Sequence, residues 1–376
     1  MDKQKEQAAA LIRKEMAAVI SARTAWYEEI CRSLREGETV YIWGTGQMGL
    51  WSAHLVRTMG GTVRAFVDNN AERWGTMIEG TPCISPQQLR EIPDALVFIG
   101  VGMRGAEVAA QLAEMNMQRV LDMPDFYLNT LFEDLRDTDP AALAARVEDC
   151  FDLLADDASR DVLLAKLRGF LDFSPGFGRQ KYYEDVCRGD QYFQDDLIHF
   201  TEASVLVDCG AYTGDTMQDF LRRGLPFRKY IAYELSRRNY EVLRAVMQDA
   251  PARSALLAYN CGVGARNEQV RYDDVVSASA VSSAGTMGEI VRMDDHLRDE
   301  AVTFIKMDIE GAEMGALRGA TDLIRRCRPA LAVCTYHSIS DLFEIPLCIH
   351  SLVPEYRLYL RHHTPVFCET VCYAVI

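Results

Sequence analysis

The stretch Val205-Leu-Val-Asp-Cys-Gly-Ala-Tyr-Thr-Gly-Asp-Thr216 decides the fold class of the second half of this 376-residue chain. Its first residues are apolar and partly β-branched, which is typical of a buried strand. The strand leads directly into a turn that carries Asp208, Gly210 and Gly214. Glycine after a strand allows a sharp turn and a close approach of the backbone to a neighbour or a ligand. The pattern predicts a strand–turn–helix unit of an α/β fold.

A second stretch, Phe304-Ile-Lys-Met-Asp-Ile-Glu-Gly-Ala-Glu313, has the same layout and ends in Asp308, Glu310 and Glu313. Two such strands in one parallel sheet bring their carboxylates to the same edge. Open α/β sheets bind ligands at that edge, beyond the carboxyl ends of the strands. We therefore expect a charged pocket there.

The spacing Asp-x-Gly-x-x-x-Gly, from Asp208 to Gly214, is the form expected for S-adenosylmethionine, and it points to a methyltransferase. This cofactor has no pyrophosphate, so the tighter dinucleotide spacing is not required. We expect Asp208 to face the cofactor's amino group, directly or through water, and the following helix start to hold its carboxylate. Glu234, 26 residues later, ends the next strand and is placed to accept hydrogen bonds from the ribose diol. The predicted cofactor-binding residues are Asp208, Gly210, Tyr212, Gly214, Asp215, Glu234, Cys261, Gly262 and Asp308.

Composition limits the partners of this protein. The formal net charge of -15 argues against nucleic acid and against an anionic membrane surface. The sequence contains no apolar run of membrane-spanning length and no signal-peptide core at its start. Its 11 cysteines include no CxxC pair, so we expect reduced thiols and a cytoplasmic protein.

Strands and helices alternate in two separate parts of the sequence, so we expect an α/β protein with two Rossmann-like units joined by a helical connector. The last two strands of the C-terminal unit are close enough to make an antiparallel hairpin. A parallel sheet that ends in such a hairpin is the layout of the seven-stranded methyltransferase fold, so we expect a seven-stranded sheet. Charge rises and strands vanish between the two units, and we expect the connector to pack on the C-terminal domain. The predicted segments are a helical 1–36, a small Rossmann-like domain 37–133, a connector 134–200 and a methyltransferase domain 201–376.

The N-terminal unit carries its own glycine motif, Gly44-Thr-Gly46-Gln-Met-Gly49, between a predicted strand and a predicted helix. Asp68 follows 24 residues after Gly44, at the end of the next strand. This is the context of a dinucleotide fingerprint. The pattern is similar to small Rossmann-like domains attached to sugar-modifying enzymes, so we predict a nucleotide or nucleotide sugar bound by Gly44, Gly46, Gly49 and Asp68. A purely structural role for these residues stays open.

The C-terminal part, from about residue 190 to 376, resembles the FkbM-type methyltransferase family. The residues that carry the resemblance are Val207–Asp215 and Phe304–Glu313, with Leu317-Arg-Gly-Ala320, Arg328-Pro329, Tyr336-His337, Asp341–Pro346 and Tyr356–His362. The resemblance covers about half the chain. It implies methyl transfer from S-adenosylmethionine to a hydroxyl of a sugar, a polyketide or a similar small molecule or glycan.

Methyl transfer to a neutral hydroxyl is usually helped by a base or a metal. We expect His337, after the fifth strand, to be the general base, although a structural histidine paired with Asp341 would give the same pattern. Asp308, Glu310 and Glu313 are alternative bases or ligands of a divalent metal. Glu310 and Glu313 also lie in the first turn of a predicted helix, where acidic residues are favoured in any case.

Two rival functions remain open from the sequence. One is an NAD-dependent oxidoreductase that works through the N-terminal fingerprint. The other is a non-catalytic protein that binds nucleotide sugars and keeps an inactive methyltransferase fold. The sequence leaves the identity of the acceptor and the oligomeric state undecided.

Overall fold

The computed structural model describes residues 25–102, 104–122, 138–172, 180–251, 255–275, 278–281 and 285–376, together with Glu6 and Ala10. The chain divides into two compact units. One contains residues 1–10, 141–166 and 183–376, and the other contains residues 11–140 and 167–182. Much of the predicted helix 1–36 falls outside the described residues, and residues 25–35 are helical.

The smaller unit is built on a six-stranded sheet with the order β3-β4-β2-β1-β5-β6. Its strands are β1 (Thr39–Trp43), β2 (Thr62–Val67), β3 (Met77–Ile78), β4 (Thr81–Ile84), β5 (Leu96–Ile99) and β6 (Val120–Asp122). Its helices include α1 (Gln47–Thr58), α2 (Pro86–Arg90) and α3 (Gly105–Glu114). All neighbouring strands are parallel except β3 and β4. The five parallel strands have the order of a Rossmann-like sheet, as predicted from the alternation of strands and helices.

Both faces of this sheet are buried, which explains the continuous apolar character of its strands. Val40 and Ile42 pack in one hydrophobic cluster, and Tyr41 and Trp43 pack in another. Sequence analysis missed the short β3–β4 hairpin, because its sequence is rich in turn residues and only two residues of β3 pair with β4.

The segment 140–375 supplies the remaining strands and helices. Its strands are β7 (Val205–Cys209), β8 (Lys229–Tyr233), β9 (Leu256–Tyr259), β10 (Gly262–Val263), β11 (Glu268–Val275), β12 (Ala278–Val281), β13 (Thr286–Val291), β14 (Phe304–Met307), β15 (Ala330–Cys334), β16 (Arg357–His362) and β17 (Thr370–Val375). Its helices are α4 (Pro140–Leu153), α5 (Asp157–Leu171), α6 (Gln180–Glu184), α7 (Asp215–Arg222), α8 (Arg237–Asp249), α9 (Met293–His296), α10 (Glu313–Gly319), α11 (Thr321–Cys327) and α12 (Asp341–Leu352).

The larger unit contains a seven-stranded sheet with the order β16-β17-β15-β14-β7-β8-β9. Strands β14, β15, β7, β8 and β9 are parallel, and β16 and β17 form an antiparallel hairpin at one edge. β17 also runs antiparallel to β15. The predicted seven-stranded sheet with a C-terminal hairpin is therefore confirmed.

One strand of this unit lies in a separate sheet. The alternation of polar and apolar side chains in residues 269–272 predicts a strand, and these residues belong to β11, which pairs with β12 and β13 in a four-stranded sheet. The local pattern predicts the strand but not its sheet, because its partners are separate segments of the chain.

The strand ends at β7 and β14 explain where the functional residues meet. Phe304 of β14 pairs with Leu206 of β7, and Met307 pairs with Cys209, so the two strands end side by side. Gly210 follows β7 with φ of 79°, and a Cβ at this position would lie 1.9 Å from the backbone oxygen of Asp308. Glycine is therefore required here by both the turn and the packing of adjacent strand ends.

Helical residues before β7 pack against the C-terminal hairpin. Arg361 of β16 donates to Asp156, with Nη2 2.6 Å from Oδ2, and Arg361 is buried. This partnered buried charge, joined by Ser159, anchors the start of α5 to the hairpin. None of the helices in the described part of the chain has the length and apolar character needed to cross a membrane.

Candidate active site

A cavity of about 550 Å³ opens at the carboxyl ends of the central strands of the seven-stranded sheet. Its wall combines the turn after β7, the end of β8, the turn after β14 and residues beside the C-terminal hairpin. The lining residues are Gln191, Tyr192, Gly210, Tyr212, Asp215, Thr216, Tyr233, Glu234, Leu235, Asn239, Gly262, Val263, Ile290, Lys306, Asp308, Ile309, Glu310, Gly311, Ala312, Tyr336 and Glu369.

Glu234 is held rigidly at one side of this cavity. Its Oε2 accepts from the backbone N–H of Tyr212 at 2.8 Å, and its Oε1 accepts from that of Ser236 at 2.8 Å. Burial raises the pKa of Glu234 to about 7, against the lowering effect of these two hydrogen bonds. Each carboxylate oxygen has a further lone pair, so Glu234 can still accept from a diol. This geometry fits the predicted contact with a ribose.

Asp208 has a different role from the one expected. It does not line the cavity, and its carboxylate lies 3.0 Å from Lys306 Nζ and accepts from the Tyr230 hydroxyl at 2.7 Å. Lys306 also donates to the Gly210 backbone oxygen at 2.7 Å. Asp208 therefore takes part in a buried ion pair that supports the turn, in place of the expected direct contact with the cofactor.

The other predicted cofactor residues divide into two groups. Gly210, Tyr212, Asp215, Gly262 and Asp308 line the cavity together with Glu234. Gly214 and Cys261 do not.

Gly214 caps α7 with φ of 90°, and a Cβ there would lie 3.0 Å from Leu243 Cδ1. Its glycine is therefore explained by helix packing. Cys261 is buried beside Gly262 and behaves as a small apolar residue.

Asp308 forms the centre of the other side of the cavity. The Tyr192 hydroxyl donates to its Oδ2 at 2.8 Å, and the Tyr336 hydroxyl donates to its Oδ1 at 2.9 Å. Burial by itself would raise the pKa of Asp308, but Lys306, His337 and the two hydroxyls together hold it below its ordinary value. Asp308 is consequently an ionised, fully oriented carboxylate.

His337 lies behind this wall in a buried group of carboxylates. Its Nδ1 is 3.0 Å from Glu313 Oε1, and its Nε2 is 3.5 Å from Asp308 Oδ1 and 3.6 Å from Glu310 Oε2. Burial by itself would lower the pKa of His337, but the three carboxylates raise it to about 10. The ring is therefore an imidazolium at neutral pH.

An imidazolium has no free lone pair, so His337 does not fit the predicted role of general base. Its charge instead neutralises part of the acidic group around it. The alternative partner, Asp341, is not among the close contacts of the ring.

Glu310 and Glu313 have separate environments, although they are only three residues apart. Glu313 is completely buried, does not line the cavity, and accepts from the Ile309 backbone N–H at 2.8 Å. Glu310 lines the cavity, and its side chain is 38% exposed. Desolvation raises the pKa of Glu310 to about 6, with His337 opposing this and the carboxylates of Asp308, Glu313 and Glu369 adding to it. Of the three carboxylates around His337, Glu310 is the one that combines access to the cavity with a pKa raised towards neutrality.

Asp308, Glu313 and His337 also satisfy the distance requirement of a metal site. Each can offer one ligand atom, and the three atoms lie within 4.8 Å of one another. However, both Asp308 oxygens already accept from tyrosine hydroxyls, and His337 is paired with Glu313. A metal would have to compete with these partners.

The sequence did not point to a site role for several residues of the cavity wall, among them Gln191, Tyr192, Glu369 and Tyr336, the last of which donates to Asp308. Tyr192 and Glu369 lie far from the glycine motifs in sequence, and only the packing of the hairpin brings them to the cavity. Four non-glycine residues of the wall have left-handed backbones: Tyr192, Tyr212, Glu310 and Glu369, with φ of 66°, 49°, 56° and 63°. Such conformations cost about 1–3 kcal/mol each and are typical of functional sites.

The residues of the N-terminal fingerprint serve local packing. A Cβ on Gly44 would lie 2.6 Å from the backbone oxygen of Gly100, and one on Gly49 would lie 2.1 Å from that of Gly44. A Cβ on Gly46 would meet nothing within 4 Å. Asp68 accepts from Thr45 Oγ1 at 2.5 Å and from the Asn70 backbone N–H at 2.8 Å. Nucleotide binding by this unit stays a prediction.

Comparison with known proteins agrees with the geometry of the larger unit. Residues 208–366 match the methyltransferase FkbM domain family. The chain is also similar to the crystal structure of methyltransferase FkbM from Methylobacillus flagellatus KT, with 25% identity and a TM-score of 0.69 over 96% of this chain and 99% of that chain. Curated protein sequences gave no match.

Two further solved structures share only limited likeness. Fibrillarin from Aeropyrum pernix, in complex with natively bound S-adenosyl-L-methionine, has 15% identity and a TM-score of 0.29 over 58% of this chain and 76% of that chain. UDP-D-quinovosamine 4-dehydrogenase from Vibrio fischeri has 21% identity and a TM-score of 0.20 over 23% of this chain and 77% of that chain. The match to the family model and the full-length likeness to an FkbM protein lead to one conclusion: residues 208–366 of this chain are a methyltransferase FkbM domain.

Proposed function

We propose that this protein transfers a methyl group from S-adenosylmethionine to a hydroxyl of a sugar, a glycan or a related small molecule. The observation that carries the proposal is the shared cavity at the ends of β7, β8 and β14. Glu234, which we assign to the ribose diol, lies on one wall of this cavity, and Glu310, which we assign as the proton acceptor, lies on another. The family match supports the reaction class.

The cofactor fits the side of the cavity formed by Gly210, Tyr212 and Glu234. Gly210 leaves this turn free of a side chain, and Glu234 is oriented by two backbone N–H groups. When bound, S-adenosylmethionine supplies an electrophilic methyl group on a sulfonium. The protein then has to hold the acceptor hydroxyl in line with that methyl group, and positioning of this kind supplies much of the rate.

The proton balance selects Glu310 as the base. The hydroxyl oxygen forms a bond to the methyl carbon while the carbon–sulfur bond breaks, and its electron pair stays on sulfur. The hydroxyl proton moves to the Glu310 carboxylate, whose pKa of about 6 keeps it ionised at neutral pH yet more basic than an ordinary carboxylate. Asp308 is less suitable, because its two oxygens are occupied by tyrosine hydroxyls that lower its basicity.

The contacts of Asp308 and His337 favour a metal-free reaction. A divalent cation at Asp308, Glu313 and His337 would compete with the tyrosine hydrogen bond at whichever Asp308 oxygen it used, and it would displace the proton of a histidine whose pKa is raised to about 10. His337 already supplies one positive charge to these carboxylates without a metal. Chelation should therefore leave the reaction intact.

The test uses methyl-labelled S-adenosylmethionine with a pool of hydroxylated acceptors, followed by mass analysis of the methylated product. Glu310→Gln should reduce turnover by about 10²-fold or more, the usual contribution of a general base, with cofactor affinity unchanged. EDTA should leave wild-type turnover unchanged. The exposed Glu202→Gln serves as the matched control.

Unchanged turnover in Glu310→Gln would move the base elsewhere. Loss of wild-type turnover with EDTA, restored by a divalent cation, would establish the metal mechanism instead. Failure of the wild-type chain to bind S-adenosylmethionine would reject the proposed function as a whole.

A further inference from the structure

Glu369 is a carboxylate of the cavity wall that methyl transfer itself does not use. It lies directly before β17, lines the cavity and is half-buried. Its backbone is in the left-handed region with φ of 63°, and Gln191 Nε2 donates to its Oε2. Burial, followed by the nearby charge of Asp308, raises its pKa, and the hydrogen bond from Gln191 and the charges of His337 and Lys306 oppose this only in part. A carboxylate in such a position is costly unless something positive comes close to it.

Negative charge dominates the part of the cavity wall around Asp308, Glu310 and Glu369, here called the acceptor side. Its wall contains Asp308, Glu310 and Glu369, and Lys306 is the cationic side chain that lines it. Lys306 is already paired with Asp208, which lies outside the wall. The cavity therefore presents a net negative field to any acceptor that enters it.

His337 reduces this field only in part. Its ring is buried behind the wall, with 4% of the side chain exposed, and its closest carboxylate is Glu313 rather than a cavity residue. Nε2 faces the cavity residues Asp308 and Glu310 at 3.5 and 3.6 Å but makes no hydrogen bond in the described part of the chain. Glu369 is not among its ion-pair partners.

We propose that Glu369 binds a protonated amino group on the acceptor, so that the substrate is a hydroxylated amine such as an amino sugar. This inference rests on the proposed function and narrows its substrate class. A protonated amine donates up to three hydrogen bonds, and a charge-assisted bond to a carboxylate is stronger than one between neutral groups. Anionic acceptors, including nucleoside-diphosphate-linked sugars, would meet the repulsion of Asp308, Glu310 and Glu369.

Glu310 and Glu369 then have different roles. Glu310 receives the hydroxyl proton, and Glu369 fixes the amine without taking part in bond formation. Glu369 is thus a specificity residue of the acceptor site. The sulfonium and the protonated amino group of the cofactor are the competing cations, so the experiment has to measure cofactor affinity separately.

The test measures binding by calorimetry to the full-length protein saturated with S-adenosylhomocysteine. The probes are D-glucosamine, D-glucose and D-glucuronate, which share a ring size and differ in charge. We expect D-glucosamine to bind about tenfold or more tightly than D-glucose, and D-glucuronate to bind more weakly than both. Glu369→Gln should remove the advantage of D-glucosamine, while Glu202→Gln should retain it.

Cofactor affinity separates this inference from its alternatives. Glu369→Gln should change the affinity for S-adenosylmethionine by less than about twofold, since the proposal assigns Glu369 to the acceptor and not to the cofactor. Equal binding of D-glucosamine and D-glucose, tighter binding of D-glucuronate, or no binding of D-glucosamine would overturn the proposal. A large loss of cofactor affinity in Glu369→Gln would assign this residue to the sulfonium instead. Failure of the wild-type protein to bind the cofactor would be a failure of the proposed function and would be seen before any probe is added.

Discussion

The two Rossmann-like units carry nearly the same sequence signal but use it differently. In each, a buried strand ends in a turn with glycines, and an acidic residue follows the next strand. In the smaller unit, Gly44 and Gly49 make room for neighbouring backbone, and Asp68 is satisfied by Thr45 and Asn70. In the larger unit, Gly210 and Glu234 border a cavity of about 550 Å³. A glycine motif thus shows that the backbone comes close to something, and the structure decides whether that is protein or ligand.

The acidic residues at the strand ends also differ between the two units. Asp208 lies near the end of β7 and is buried against Lys306, whereas Asp68 follows β2 and its partners are a hydroxyl and a backbone N–H. Asp208 is held in its ion pair, whereas each Asp68 oxygen keeps a further lone pair, so nucleotide binding by Asp68 stays a prediction. Only the larger unit adds a second set of carboxylates at the end of β14.

The largest expected difference between the units is in stability. Asp208→Ala should leave the Lys306 charge buried without its closest partner and lower the free energy of unfolding by about 3–5 kcal/mol. Asp68→Ala removes two hydrogen bonds at a partly exposed turn and should cost about 1 kcal/mol for each. Urea denaturation of both variants measures the difference. Equal losses would show that the buried pair in the larger unit is no more important than the capped turn in the smaller one.

A smaller effect should appear in the pH dependence of stability. The pKa of His337 is raised from its ordinary 6.5 to about 10 in the folded protein. The stabilisation is therefore fully present below pH 6.5 and is lost as the pH rises through about 10. Thermal unfolding between pH 6 and pH 10 should show a decline in wild type that is weaker in His337→Gln.

The exposed His54→Gln in the smaller unit is the matched control and should keep the wild-type pH profile. A wild-type decline that persists unchanged in His337→Gln would mean that His337 is not the group that titrates. It would also restore His337 as a candidate for the general base.

Much of the fold could be predicted from sequence because each strand of the large sheet is a short apolar run that ends in a turn signal. The seven-stranded sheet, its C-terminal hairpin and the adjacency of Asp308 to β7 follow from these local patterns and from the rules of parallel sheets. The placement of residues 269–272 in a separate sheet did not, because strand pairing depends on distant partners.

The site was only half visible for the same reason. Glu234 and Glu310 were found because they end or follow predicted strands. Tyr192 and Glu369 were missed, since they come from segments with no motif and reach the cavity through the packing of the hairpin. The sequence also could not show that Lys306 would form an ion pair with Asp208, or that three carboxylates would keep His337 protonated.

The most direct measurement of the central claim is calorimetric titration of S-adenosylmethionine into the full-length protein and two variants. The account predicts that wild type binds the cofactor and that Glu234→Gln weakens binding by about 1–2 kcal/mol, or roughly tenfold, through the lost diol contact. Asp68→Asn, the corresponding change in the smaller unit, should bind like wild type. Loss of binding in Asp68→Asn with normal binding in Glu234→Gln would contradict the account, because it would place the cofactor site in the smaller unit.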